Sequence, residues 1–246
     1  MTREWIVGRN PVFETLQAGR RRAYRLLIAE GVQQKGRISE LLKMCAARDI
    51  PVQRVTKDKL SGVGSGHQGV ALEASEYPYA TLQDMRVLSV QRDEPLFVLI
   101  LDTLQDPQNL GTLLRSAEGV GVHGVLLPLR HTATISPAVV SASSGASEHL
   151  LVAQANLAQA ISGLKDAGLW VVGLEDGPDS QPPGELRLDG PIGLVVGSEG
   201  SGMRSLVRSS CDLLMGLPMR GRVDSFNAAV AGSIALYLIW QARDFQ

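Results

Sequence analysis

The sequence predicts an α/β protein in which a small α/β module precedes a larger parallel sheet with crossover helices. Three observations carry this reading. Near-continuous apolar runs recur after residue 95, as expected of strands covered on both faces. Helix-length segments with one apolar face separate them, the alternation that builds parallel sheets. Charge is also uneven: residues 1–78 hold 13 Lys and Arg against 8 Asp and Glu, and the remainder 11 against 17, although the net charge is only −1. Such asymmetry suits a nucleic-acid-binding module joined to a second, larger one, and equally a merely solvated basic face.

At 246 residues, 44% hydrophobic and 20% charged, the chain can bury one large core and a smaller appended one, and its composition excludes disordered and fibrous classes. Cys45 and Cys211 are too few and too far apart for a disulfide framework or a zinc motif. They are expected to be buried spectators in a reducing cytoplasm. The N-terminus carries no apolar h-region, and the longest apolar run, 228–240, is too short to cross a bilayer. A cytoplasmic location with no membrane role is expected, and no His/Cys cluster suggests a metal.

In the first module, 10–18 and 37–48 read as helices, the latter with Ile38, Leu41, Leu42, Cys45 and Ala46 on one face. YRLLIA (24–29), PVQRV (51–55) and GVALE (69–73) read as strands. GSGHQG (64–69) formally matches G-x-G-x-x-G. A strand-like VALE follows it, whereas the dinucleotide fingerprint must open a helix, so it is a decoy. His67 and Gln68 there could touch RNA, or sit on a plain glycine turn. The domain limits expected are 1–78 for this module, 79–94 for a linker and 95–246 for the larger domain.

The strands of the larger domain are LFVLIL (96–101), GVLLP (124–128), LWVVGL (169–174), IGLVVG (192–197) and LLMGLP (213–218). Helices are expected at 110–118, 157–167 and 225–240. Three polar, glycine-bearing loops follow strands, where ligands of open α/β sheets gather. In the first, Asp106 can cap a helix, Pro107 sits where its missing N–H costs nothing, and Leu110, Leu113, Leu114 and Ala117 form the buried stripe. Arg115 therefore points outward, and Asn109 lies in the first turn. The second, VVGSEGSGM (195–203), has Glu199 as its only charge. In the third, Asp224 or Ser225 is expected to cap a helix whose Ala228, Ala229, Ala231 and Gly232 leave room for close packing or a ligand.

The segments NLGTLLRSAEGVGVHGVLLP, LVVGSEGSGM and LPMRGRVDSFNAAVA, in this order and spacing, resemble the three motifs of the SpoU (TrmH-like) RNA ribose 2'-O-methyltransferases. The basic front module is similar to the substrate-binding domain of that family, which has a ribosomal-protein-type fold. The likeness is nearest to the branch acting on guanosine of 23S rRNA. It implies a SPOUT fold with a C-terminal trefoil knot, S-adenosylmethionine bent into the knotted loops, a homodimer, and RNA as partner. It also implies site residues: Asn109 and Arg115 from motif one, Glu199 from motif two, and Ser225 and Asn227 from motif three. Cofactor contacts are implied around Leu174, Gly197, Leu217 and Phe226. Where relatives commonly read S-L-N-V-S, this chain has Ser225, Phe226, Asn227, Ala228 and Ala229, a bulkier wall and one hydroxyl fewer.

Methyl transfer from a sulfonium needs no metal and no covalent enzyme intermediate. It does need a weakly acidic ribose hydroxyl to be aligned and relieved of its proton. The resemblance puts Arg115 at the reactive ribose, either as a base or as an electrostatic stabiliser of the alkoxide, since a guanidinium ordinarily holds its proton to about pH 12. It further implies that Asn109 holds Arg115, that Glu199 braces the motif-two loop, and that Ser225 and Asn227 orient RNA or cofactor across the dimer. Competing readings are a tRNA 2'-O-methyltransferase of the same family, a non-catalytic RNA-binding or ribosome-assembly protein, and a nucleotide-dependent oxidoreductase. The last would require G-x-G-x-x-G after LFVLIL, where DTLQDPQN stands instead.

Overall fold

A computed structural model describes residues 2–223 and 225–245. Two compact units divide the chain: residues Met1–Pro78 with Thr134–His149, and residues Tyr79–Ala133 with Leu150–Gln246.

The first unit is built on a four-stranded sheet of β1 (Arg3–Val7), β2 (Ala23–Ala29), β3 (Val52–Val55) and β4 (Val70–Ser75), in the order β1-β4-β2-β3. Helices α1 (Arg9–Ala18) and α2 (Arg37–Ala47) pack on each other, and Ile38, Leu41 and Cys45 of α2 are buried as the spacing predicts. A one-turn α3 (Lys57–Ser61) follows β3. GSGHQG is a turn region leading into β4, not a helix N-terminus. Strand β1 escapes sequence reading because its five residues pair only with β4, some 70 positions away. The segment Thr134–His149, expected in the larger domain, belongs here instead. Its helix α6 (Pro137–Ala142) buries Val139 and Val140 and packs on β1, and the buried Glu148 accepts from Arg21 Nε at 2.9 Å. Arg21 also donates to Glu4 at 2.6 Å, so the charged groups are paired where they are dry.

The second unit holds a six-stranded, all-parallel sheet in the order β10-β8-β9-β5-β6-β7. Its strands are β5 (Phe97–Leu101), β6 (Gly124–Pro128), β7 (Val152–Ala155), β8 (Trp170–Leu174), β9 (Ile192–Val196) and β10 (Leu213–Met215). β5, β6 and β9 are buried at every residue, which accounts for their unbroken apolar sequences. The segment 79–94, expected as a linker, contains helix α4 (Leu82–Arg92), opened by a capping box of Thr81 and Asp84. α4 lies so near β6 that a Cβ on Gly124 would fall 2.3 Å from Met85. Crossovers are made by α5 (Pro107–Gly119), α7 (Leu157–Lys165) and the one-turn α8 (Ser205–Ser209). The last helix, α9 (Ala228–Ala242), packs on α5 and β9; its Gly232 faces Leu113 and Val196, where a Cβ would meet Leu113 Cδ2 at 2.5 Å. Gly232 is therefore a close helix contact.

Cys45 is buried and Cys211 partly so, and burial pushes their thiols up to about 11 and about 12. Neither is a nucleophile at neutral pH. Among the described residues no helix is long and apolar enough to cross a membrane.

Candidate active site

The carboxyl ends of β8, β9 and β10 open into one cleft containing about 750 Å³ of free space, part of it open to solvent. The three glycine-bearing loops do not end three neighbouring strands, because β8 lies between β9 and β10. Its own exit, Leu174 to Asp176, forms a wall of the cleft beside the loops that follow β9 and β10.

Leu174, Gly197, Leu217 and Phe226 all line this cleft, joined by Met215, Ala228 and Ala231. Gly197 is dictated by backbone: a Cβ there would lie 2.3 Å from the carbonyl carbon of Gly202 and 2.5 Å from Met203 N. The loop folds back on itself through paired bonds, Ser198 N–H to Gly202 O and Gly202 N–H to Ser198 O, both 3.0 Å. Glu199 is thereby carried at the tip of a tight turn.

At the cleft's rim the candidate polar residues meet. Asn109, in the first turn of α5, donates from Nδ2 to Glu199 Oε1 at 2.8 Å, and Asn227 Nδ2 donates to Asn109 Oδ1 at 3.2 Å and to Glu199 Oε1. Three loops far apart in sequence are thus cross-linked by two amides and a carboxylate. Asn227 is also the N-cap of α9, its Oδ1 accepting from Ala229 N–H at 2.9 Å and Val230 N–H at 3.2 Å. This corrects the expected cap: Ser225 is not it, and Asp224 lies outside the described residues. Ser225 is exposed and lines the cleft. Asp106 caps α5 as the sequence predicts, accepting from Gln108 N–H at 3.0 Å.

Arg115 is exposed on α5. It lies six positions after Asn109, which on a helix sets the two about 120° apart around the axis and about 9 Å along it. The amide of Asn109 is bonded to Glu199 and Asn227 at the rim.

Glu175 and Asp176 were missed in the sequence, although LEDG follows an apolar run there as GSEG follows another. Both line the cleft, and Arg208 Nε donates to Glu175 at 2.5 Å. The described lining holds three carboxylates, with Glu199, and no Lys, Arg or His. Apolar walls, a glycine that admits close backbone approach and an anionic field fit an adenosyl group carrying a sulfonium cation. Among the described residues no His/Cys/Asp/Glu group is arranged to hold a metal.

Known proteins resemble this chain along nearly its whole length. Residues 96–237 match the SpoU rRNA methylase family, and residues 5–80 match the RNA 2'-O ribose methyltransferase substrate-binding family. The Bacillus subtilis protein YacO, assigned to the TrmH family of tRNA/rRNA methyltransferases, is 39% identical over 98% of this chain and 96% of its own. A Staphylococcus saprophyticus protein assigned likewise is 40% identical over 98% of this chain and 96% of its own. The fold is shared with the SpoU methyltransferase AviRb of Streptomyces viridochromogenes in complex with AdoMet, at a TM-score of 0.81 and 22% identity over 99% of this chain and 92% of that one. An AdoMet-bound rRNA methyltransferase of Sinorhizobium meliloti gives 0.78 and 25% over 97% and 87%. With both of its segments matched and relatives near 40% identity along its whole length, the chain belongs to the SpoU family of RNA methyltransferases.

Proposed function

We propose that this protein methylates a ribose 2'-hydroxyl of RNA from S-adenosylmethionine, with a guanosine of 23S rRNA as the substrate and a tRNA ribose as the alternative. The observation that carries the reading is the joining of Asn109, Glu199 and Asn227 at the rim of a cleft lined by Leu174, Gly197, Leu217 and Phe226. A scaffold that had lost turnover would have no reason to keep both. The family matched by residues 96–237 is one of rRNA methylases, while the relatives' names span tRNA and rRNA, which is why both substrates stand.

When bound, S-adenosylmethionine supplies an electrophilic methyl carbon, which the ribose oxygen takes in line as the thioether leaves. The apolar walls exclude water from that space, and the carboxylates of Glu175, Asp176 and Glu199 favour a cation within it. Asn109, Glu199 and Asn227 hold the rim rigid, so the acceptor meets a pre-formed edge. Arg115 binds the reactive ribose and its adjoining phosphate, as base or as stabiliser of the developing alkoxide. Ser225 orients ligand at the mouth of the cleft.

The finer architecture belongs to the same reading. β10 is an edge strand, yet Asn227, twelve positions after its end at Met215, bonds to Asn109 and Glu199 beyond β8, a return toward the sheet's middle that supports a trefoil threading of the C-terminal chain. On α9, Val230, Ile234 and Tyr237 form an exposed apolar stripe at 45%, 36% and 51%, which supports a homodimer formed through that helix. In the first unit, Arg9, Lys57, His67 and Gln68 line one hollow, which supports its part in holding RNA. A cytoplasmic location follows from the substrate.

The test is to map ribose methylation in RNA from a strain lacking this protein. Loss of one 2'-O-methyl group from 23S rRNA, restored by the purified enzyme, is expected; loss from a tRNA selects the alternative, and an unchanged map contradicts the function.

A further inference from the structure

Beside the acidic cleft, and sharing Ser198 and Glu199 with it, runs a second groove containing about 1170 Å³ of free space. It crosses the carboxyl ends of β5 and β6 and continues toward β7 in a further hollow, the two having His131 and Arg204 in common. Its lining is mixed, with Arg204 and His131 alongside Asp106 and Glu199. In the adjoining hollow Arg130 joins His131 and Arg204 with no carboxylate beside them, and all three are exposed. Leu129, 63% exposed, adds an apolar face beside them.

The groove is built rather than incidental. Asp102, at the end of β5 and 0% exposed, accepts from both the backbone N–H and the Nε of Arg204 at 2.7 Å. A buried carboxylate thus fixes a guanidinium whose side chain remains half exposed, in the planar, pre-oriented form suited to an oxyanion. The loop carrying Arg130 and His131 is tied to the first one by Thr132 Oγ1 and Ala133 N–H, which both donate to Leu104 O, at 2.9 and 2.8 Å. Thr103 and His131 line the groove with φ of 61° and 59°, the left-handed region that favours glycine; a β-branched residue there is uncommon and is held only by its surroundings.

We infer that this groove is the subsite for the nucleotide next to the methyl acceptor, with Arg204 and Arg130 taking its phosphate and His131 and Leu129 offering a face for its base. The inference rests on the RNA methyltransferase reading and adds to it where the strand leaves the cleft. Phosphate contacts by arginine and stacking on ring and apolar faces are the ordinary means of gripping single-stranded RNA. The phosphate would then lie at the Arg130 and Arg204 end, away from the carboxylates of the cleft.

The test compares wild type, Arg130→Ala, Arg204→Gln and the control Arg187→Ala, which removes a like charge from an exposed ion pair elsewhere. Affinity for end-labelled rRNA and tRNA from a strain lacking the protein is read by fluorescence anisotropy across a salt series, and S-adenosylmethionine affinity by calorimetry. Arg130→Ala and Arg204→Gln should each weaken RNA binding about tenfold and reduce the salt slope by about one. Arg130→Ala should leave donor affinity within twofold. RNA affinity and salt slope equal to those of Arg187→Ala in both variants would overturn the subsite. Absence of methyl transfer by wild type would overturn the functional reading instead, while the RNA-binding comparison would still decide the subsite. Failure of wild type to bind RNA would overturn both.

Discussion

Asn227 shows how much one side chain can hold. Its Oδ1 caps α9 while its Nδ2 reaches Asn109 and Glu199, so helix stability and rim geometry meet in a single amide. The two roles separate by substitution. Asn227→Ser keeps a capping oxygen and loses the amide, so thermal stability should stay within a few tenths of a kcal/mol while methyl transfer falls about tenfold. Asn227→Ala should lose the same activity and also about 1 kcal/mol of stability, read by urea unfolding. Equal activity in wild type and Asn227→Ser would remove Asn227 from the site. The sequence offered Asp224 or Ser225 as the cap, whereas Asn227 takes that place and is held there by Glu199 and Asn109, which no local pattern displays. By contrast, the crowding at Gly197 was legible as a glycine loop after a strand, though not the 2.3 Å reason for it.

Among the elements, the buried strands were readable because being covered on both faces leaves an unbroken apolar run; β6 spans Gly124–Pro128, the limits its sequence suggests. Strands β1 and β7 were not, being short and only partly buried. Helix α4 was taken for a linker although Thr81 and Asp84 announce a capping box, because its apolar face is narrow: of its eleven residues only Met85 and Ser89 are buried. Next to that helix, His123 is 1% exposed, and its Nδ1 accepts from Phe97 N–H at 3.0 Å, which requires the neutral ring. Glu94 lies 3.1 Å from Nε2 without a well-directed hydrogen bond. Burial, then Arg92, pushes the His123 pKa down, outweighing Glu94. The unfolded chain therefore binds the proton more readily than the folded one. The stability that neutral His123 contributes is present above about pH 6.5 and is lost as pH falls below it toward the folded-state value. Urea unfolding at pH 7.5 and pH 5.5 should show that loss in wild type and a shallower slope in His123→Asn, whose Oδ1 can still accept from Phe97. The same slope in both would mean that His123 is not the titrating group.

For the whole molecule, the sequence showed two modules and their contrasting charge, but not that Thr134–His149 joins the first unit. Arg21 and Glu148 stand 127 residues apart, and only the folded chain reveals them as a pair. Nor does periodicity show a knot, since chains follow un-knotted paths as a rule; that expectation came from motif resemblance alone. Charge is also divided over the surface: Glu175, Asp176 and Glu199 line the cleft, whereas Arg130, His131 and Arg204 line the hollow at the ends of β6 and β7. The central claim is that the cleft at the ends of β8, β9 and β10 binds the methyl donor, and titration calorimetry with S-adenosylmethionine tests it most directly. Wild type should bind one equivalent per chain. Gly197→Val, whose side chain would collide with the backbone of Gly202 and Met203, should lose at least tenfold in affinity while circular dichroism reports a folded protein. No heat of binding to wild type, or equal affinity in a folded Gly197→Val, would contradict the account.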